Sequence, residues 1–241
     1  MTAPANSMQG QAPAAGKKAM RNVFIEKATE AMASGADLYF LSADFGAPSL
    51  DELQRKFPHR FINVGIAEQN LINISAGMAF EGMTVHAYSI SSFLAIRAFE
   101  QVKINLSLHS QIRKFNVNLV GVGAGLSYDI SGPTHHCLED ISVVNSLPGI
   151  TVFSPSDWVL VEKFHDYALS HNCPKYLRLD SKPVLPLYHK HLGIKIEDCF
   201  CELEKGEEVC IVSTGFMTHV ALEAVNLAVE KGLRPGLVDL F

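Results

Sequence analysis

The stretch "RFINVGIAEQNLINISAGMAFEGMTVHAYSI", Arg60 to Ile90, decides the fold. It opens on a short apolar run, "RFINVG", which reads as a strand. "AEQNLINISAGMAFEG" follows as a helix closed by Gly82. "MTVHAYSI" is a second strand. Strand, helix, strand with near-continuous apolar runs is the pattern of parallel neighbours joined by a crossover helix. One carboxylate, Glu68, stands where the first strand hands over to the helix. A charge at the mouth of a largely buried element is costly to desolvate unless it has a partner or a task.

The same alternation runs outward in both directions. Towards the N-terminus, a helix from Ala19 to Ser34 stops at Gly35, "ADLYFLSAD" is a strand, and Pro48 and Ser49 begin the amphipathic helix "PSLDELQRKF". Towards the C-terminus, "SFLAIRAFEQVKINLSLH" reads as one long helix and "FNVNLVGVGA" as a strand. "GITVFSPSD" is another strand, Asp157 opens a helix to about His171, and "PKYLRLD" is a further strand. The fold class is therefore α/β, a parallel sheet with helices on both faces. Ligands of such sheets sit beyond the carboxyl ends of the strands, which gathers Asp44, Gly65–Glu68, Ser89–Phe93 and the loop 123–136 along one edge.

Residues 1–18, mainly Ala, Pro, Gln and Gly, read as a disordered tail. Residues 19–185 form the main domain. From 186 to 241 a Pro-rich linker, begun in "SKPVLPLYHKHLG", leads into one β-α-β unit. That unit is too small to bury a core alone, so it reads as the start of a second domain or as a piece resting on another chain.

Of the 241 residues 48% are hydrophobic and 19% charged, with a net charge of −5, so a sizeable core is available. No basic block draws the chain to nucleic acid or an anionic membrane. No apolar run approaches the roughly 20 residues of a bilayer span. The five cysteines contain no C-x-x-C, and the C-x-C of Cys199 and Cys201 reads as two ordinary thiols. The N-terminus lacks a secretory layout, so the cytosol is the default compartment.

The candidate chemistry is spread over several motifs, each with a plain alternative. In "GAGLSYDISGPTHHCLED", the adjacent His135 and His136 can exchange protons near neutral pH, and Gly-Pro-Thr fixes the backbone before them. An ordinary helix-capping loop is the alternative. Phe93, Ile96 and Phe99 are either a core stripe or an apolar slot for a planar ring. Arg97 is either a surface charge or a phosphate contact. Arg178 is either paired with Asp180 or a neighbour, or free to bind an anion. Asp44 either caps the next helix or stands beside a cofactor. GxGxxG, GxxxxGK[ST], HExxH and GxSxG are all absent.

Taken together, "FINVGIAEQNLINISAGMAFEG", "HAYSISSFLAIRAFEQV", "SGPTHHCLEDISVVNSLPGITVFSPSD" and "YLRLD" resemble the pyrimidine-binding domain of the transketolase family of thiamine diphosphate enzymes. The resemblance runs in order from about Ala19 to Asp180. It implies that Glu68 is the glutamate that hydrogen-bonds N1′ of the aminopyrimidine, a shielded acid that shares its proton with the ring and helps generate the cofactor's own nucleophile. Phe93 matches the aromatic that stacks on that ring, and Phe99 a second ring of the pocket. Ile96 replaces a further aromatic. Asp44 matches the "AD" beside the cofactor. His135 matches the histidine that faces substrate hydroxyls. Ser131 stands where an aspartate usually reads the donor hydroxyl, and Gly123 where a phosphate-binding histidine is usual. Arg178 matches a phosphate-contacting arginine.

The family holds the diphosphate and Mg²⁺ with a GDG…N motif on a separate domain, and no "GDG" occurs here. The resemblance thus implies the C-terminal subunit of a split transketolase, a transferase that moves a two-carbon ketol unit from a ketose to an aldose. A partner chain, the N-terminal diphosphate-binding subunit, supplies the other half of the cofactor site in an α2β2 assembly acting on sugars or sugar phosphates. Two alternatives stay open: a deoxyxylulose-phosphate synthase-like or 2-oxo acid dehydrogenase β-like subunit, and a non-catalytic interaction subunit.

Overall fold

The structure, a computed structural model, describes residues 16–188 and 193–241. Residues 1–15 of the expected tail and 189–192 of the expected linker lie outside the described residues. Lys18, at the end of that tail, pairs its backbone with Val184 in both directions at 3.0 Å.

The first unit runs α1 (Met20–Ala33), β1 (Leu38–Ser42), α2 (Pro48–Lys56), β2 (Phe61–Asn63), α3 (Glu68–Phe80) and β3 (Thr84–Ile90). After an irregular helical segment that includes α4 (Phe99–Gln101) come β4 (Asn116–Val122), α5 (Asp140–Asn145), β5 (Thr151–Phe153), α6 (Trp158–Ser170) and β6 (Lys175–Leu179). The six strands pair in the order β2-β1-β3-β4-β6-β5, and every pairing is parallel. The alternation read from the sequence produces this sheet.

Successive strand residues feed opposite faces, as a pleated strand requires. In β3, Tyr88 joins the cluster of Phe24, Val161 and Phe164 from α1 and α6, while Val85 and Ala87 join Leu71, Ile72 and Leu106 on the other side. Each large apolar side chain so buried contributes about 1.5–3 kcal/mol relative to exposure. A polar pair sits within the first cluster. His86 and His165 face each other Nε2 to Nε2 at 3.3 Å beside Phe24. Burial holds His165 down at about 3 and His86 well below the imidazole range, so both rings are neutral.

The long helix expected over 92–109 is not regular. It is a π-turn at Phe93–Arg97, the single α-turn of α4, and a π-helical stretch at Val102–Leu108. An i, i+3, i+6 apolar spacing is compatible with either winding, so the sequence did not reveal it.

The Pro-rich passage is packed against the first unit rather than free. Val184 and Tyr188 are buried in the core, and the N–H groups of Leu187 and Tyr188 donate to Asp157 Oδ2 at 2.6 and 2.9 Å. Beyond it, a strand absent from the sequence reading, β7 (Phe200–Glu204), joins β8 (Cys210–Ser213), α7 (Met217–Glu230) and β9 (Gly236–Leu240). The order is β7-β9-β8, with β7 antiparallel. The unit rests on the first through buried Asp239, whose carboxylate accepts from Ser156 (2.5 Å), Tyr188 (2.7 Å) and Thr218 (2.7 Å). No helix among the described residues is long and apolar enough to cross a membrane.

Candidate active site

The loop between β2 and α3 is built by Asn63 and Gly65. Asn63 Oδ1 accepts from the N–H groups of Asp44 and Gly65, and its amide donates to Asp44 Oδ1 at 3.1 Å. Gly65 takes φ +76°, a left-handed value that disfavours a side chain. Asp44, itself at φ +50°, caps no helix; α2 starts after Ala47 without a side-chain cap. Asp44 is instead tied to the loop that leads into Glu68. Asn63 was missed by sequence reading, because its role depends on two loops meeting.

Glu68 is the first residue of α3, where the helix's unpaired N–H groups favour an anion. Only 2% of its side chain is exposed, yet it has an ionic partner: Arg97 donates to Oε2 at 2.8 Å. Arg97, expected as a surface charge or a phosphate contact, is an exposed cation that is paired with this acid. Its guanidinium also lies over the Phe93 ring, 4.1 Å from the centroid. His135 meets the same ring edge-on at 5.3 Å, and its Nδ1 lies 3.0 Å from Thr134 Oγ1. Glu68, Arg97, Phe93 and His135 thus form one connected group, drawn from three segments of the chain.

A cavity of about 470 Å³ opens beside this group, lined by Phe93, Ile96, Arg97, Pro133, Thr134 and His136, among others. Ile96 is 42% exposed there. Phe99 does not line it and packs against the core cluster of α3. Ser131 lies exposed on a short 3-10 turn, Asp129–Ser131.

Arg178 is in a different place. Its Nε donates to the buried Asp140 at 2.8 Å, and Tyr176 donates to the same Oδ2 at 2.8 Å. Its neighbour is Asp140 rather than Asp180. It lines a second cavity, of about 400 Å³, with Ser127, Ser154, Lys182, Thr214 and Gly215. This cavity lies beyond the carboxyl ends of β4, β5 and β6, and its lining brings Arg178 and Lys182 together with the carboxylate of Asp180. Gly123 leads into it at φ +95°, and a β-carbon there would sit 2.2 Å from the Tyr128 ring. Tyr128 therefore fills the space that a side chain at position 123 would need.

The fold and the site define a pyrimidine-binding domain. Residues 16–184 match the family model described as "Transketolase, pyrimidine binding domain". The chain belongs to this transketolase family. More particularly, it is 32% identical to a subunit of the apulose-4-phosphate transketolase of Actinobacillus succinogenes, over 92% of this chain and 70% of that protein. It is 28% identical to the 6-deoxy-6-sulfo-D-fructose transketolase subunit SqwH of a Clostridium species, over 89% of this chain and 65% of that protein. Among solved structures, a split gene transketolase, described as an inactive β4 tetramer, superposes with a TM-score of 0.81 at 29% identity, covering 93% of this chain and 72% of that one.

Proposed function

We propose that this chain is the pyrimidine-binding subunit of a split, thiamine diphosphate-dependent transketolase that moves a two-carbon ketol unit from a ketose to an aldose. The observation that carries the reading is Glu68. It is a nearly fully buried carboxylate at a helix N-terminus, held through Oε2 by Arg97, whose guanidinium lies over the Phe93 ring that His135 meets on its edge. Among the described residues Oε1 has no protein hydrogen bond, so one acceptor is left for a ring nitrogen. The residues present therefore fit the aminopyrimidine half of the cofactor.

When bound, thiamine diphosphate supplies the nucleophilic carbon that takes up the ketol unit. Glu68 holds a proton at N1′ of its ring, and Phe93 with Ile96 orients that ring. Asp44 braces the loop that carries Glu68. His135 moves a proton at a substrate hydroxyl, and the exposed Ser131 faces the donor. Arg178, with Lys182 near it, takes an anionic group of a sugar phosphate. The diphosphate and Mg²⁺ fall to a partner chain that carries GDG…N, in an α2β2 enzyme. The inactive β4 state named for the solved relative supports a need for that partner.

The test is to mix the purified chain with such a partner and offer a ketose or pyruvate as donor. Cofactor-dependent transfer from the ketose, absent from either chain alone, is the expected result. Turnover of pyruvate in place of the ketose would move the chain to the synthase or dehydrogenase side.

A further inference from the structure

We propose that Arg97, on the π-turn at Phe93–Arg97, is a positioning residue for the cofactor's aminopyrimidine ring. The inference rests on the reading of Glu68 and Phe93 given above. A π-turn closes i→i+5 hydrogen bonds, seen here as Ala98 N–H donating to Phe93 C=O at 3.2 Å. Side chains four apart are neighbours on one face of such a turn, as they are in an α-helix. The Arg97 guanidinium lies over the Phe93 ring in that way.

The same turn is cross-tied to α3 at two points. Arg97 Nη1 holds Glu68 Oε2, and Gln69 donates its side-chain amide to the Arg97 carbonyl at 3.3 Å. One planar cation thereby fixes both groups that the ring would touch. It backs the aromatic on one face and takes one carboxylate oxygen, leaving the other oxygen for the ring. A guanidinium suits this task because it is flat, always charged and donates in a rigid fork. Arg97 is 46% exposed in side chain, so its own packing contributes little to the fold, but it is the cation that compensates the buried Glu68 carboxylate.

Two substitutions in the assembled enzyme test this. Arg97→Met keeps the stem and removes both the charge and the flat head. The dissociation constant for thiamine diphosphate, measured by calorimetry, should rise about tenfold or more and kcat should fall about tenfold or more, the loss expected for one charge-assisted bond. The thermal midpoint of the isolated chain should fall by only a few degrees, because Glu68, left buried and unpaired, can take up a proton. Arg97→Lys restores a cation beside Glu68 without a planar head, so kcat should recover further than cofactor affinity does. Wild-type affinity and kcat in Arg97→Met overturn the proposal, as does a loss that disappears when the assay is run well below the variant's thermal midpoint. Glu68→Gln in the same assay separates the two levels. If it is fully active, the reading of the site fails and takes this inference with it. If it is inactive while Arg97→Met is wild type, only the role of Arg97 falls.

Discussion

Glu68→Ala in the assembled enzyme should lower kcat about 10³-fold, a loss of about 4 kcal/mol of transition-state stabilisation, since a positioned proton-transfer group contributes about 10²–10⁴. The side chain is buried, but its one protein partner, Arg97, is half exposed and regains water when the carboxylate is removed. The fold should therefore survive, with the thermal midpoint close to wild type. Loss of activity with an intact fold separates a catalytic role from a structural one. A variant that keeps a tenth or more of wild-type kcat would mean that Glu68 is an ordinary helix-terminal acid.

Asp239→Ala should be a strongly destabilising change. Its carboxylate accepts three hydroxyl hydrogen bonds, from Ser156, Tyr188 and Thr218, at 2.5–2.7 Å. All four residues are buried, so removing the acceptor orphans three donors. Burial raises the pKa of Asp239, and the three hydroxyls pull it the other way. We expect a loss of about 3 kcal/mol, which for a chain of this size lowers the thermal midpoint by about 10 °C. Urea unfolding gives the value directly. A loss under about 1 kcal/mol would mean that the C-terminal β-α-β unit is held by its apolar contacts, chiefly Phe241 against Phe153 and Tyr188, rather than by this node.

The main sheet was legible because its strands are buried on both faces, which writes them as unbroken apolar runs. Helix α3 was legible because Gly65 and Gly82 bracket it and Glu68 opens it. What escaped detection depended on contacts distant in sequence. Glu68 and Arg97 are 29 residues apart, and no local pattern couples them. The π-turn is a backbone event imposed by packing, with no periodicity of its own to read. Strand β7 alternates exposed and half-buried residues, "FCELE", and lacks the apolar run of a central strand. The passage around Val184 looked like a linker because of its prolines, but its backbone donors found Asp157 and Lys18. The aromatic and arginine positions were legible only as alternatives, and geometry divided them: Phe93 beside the acid, Phe99 into the core, Arg178 into a second cavity.

The most direct measurement is a structure of the assembled enzyme with thiamine diphosphate bound. Glu68 is expected within hydrogen-bond distance of N1′, about 2.6–3.0 Å, with the ring against Phe93 and the diphosphate on the partner chain. A carboxylate turned away from the six-membered ring, or a ring seated elsewhere, would contradict the account at its root.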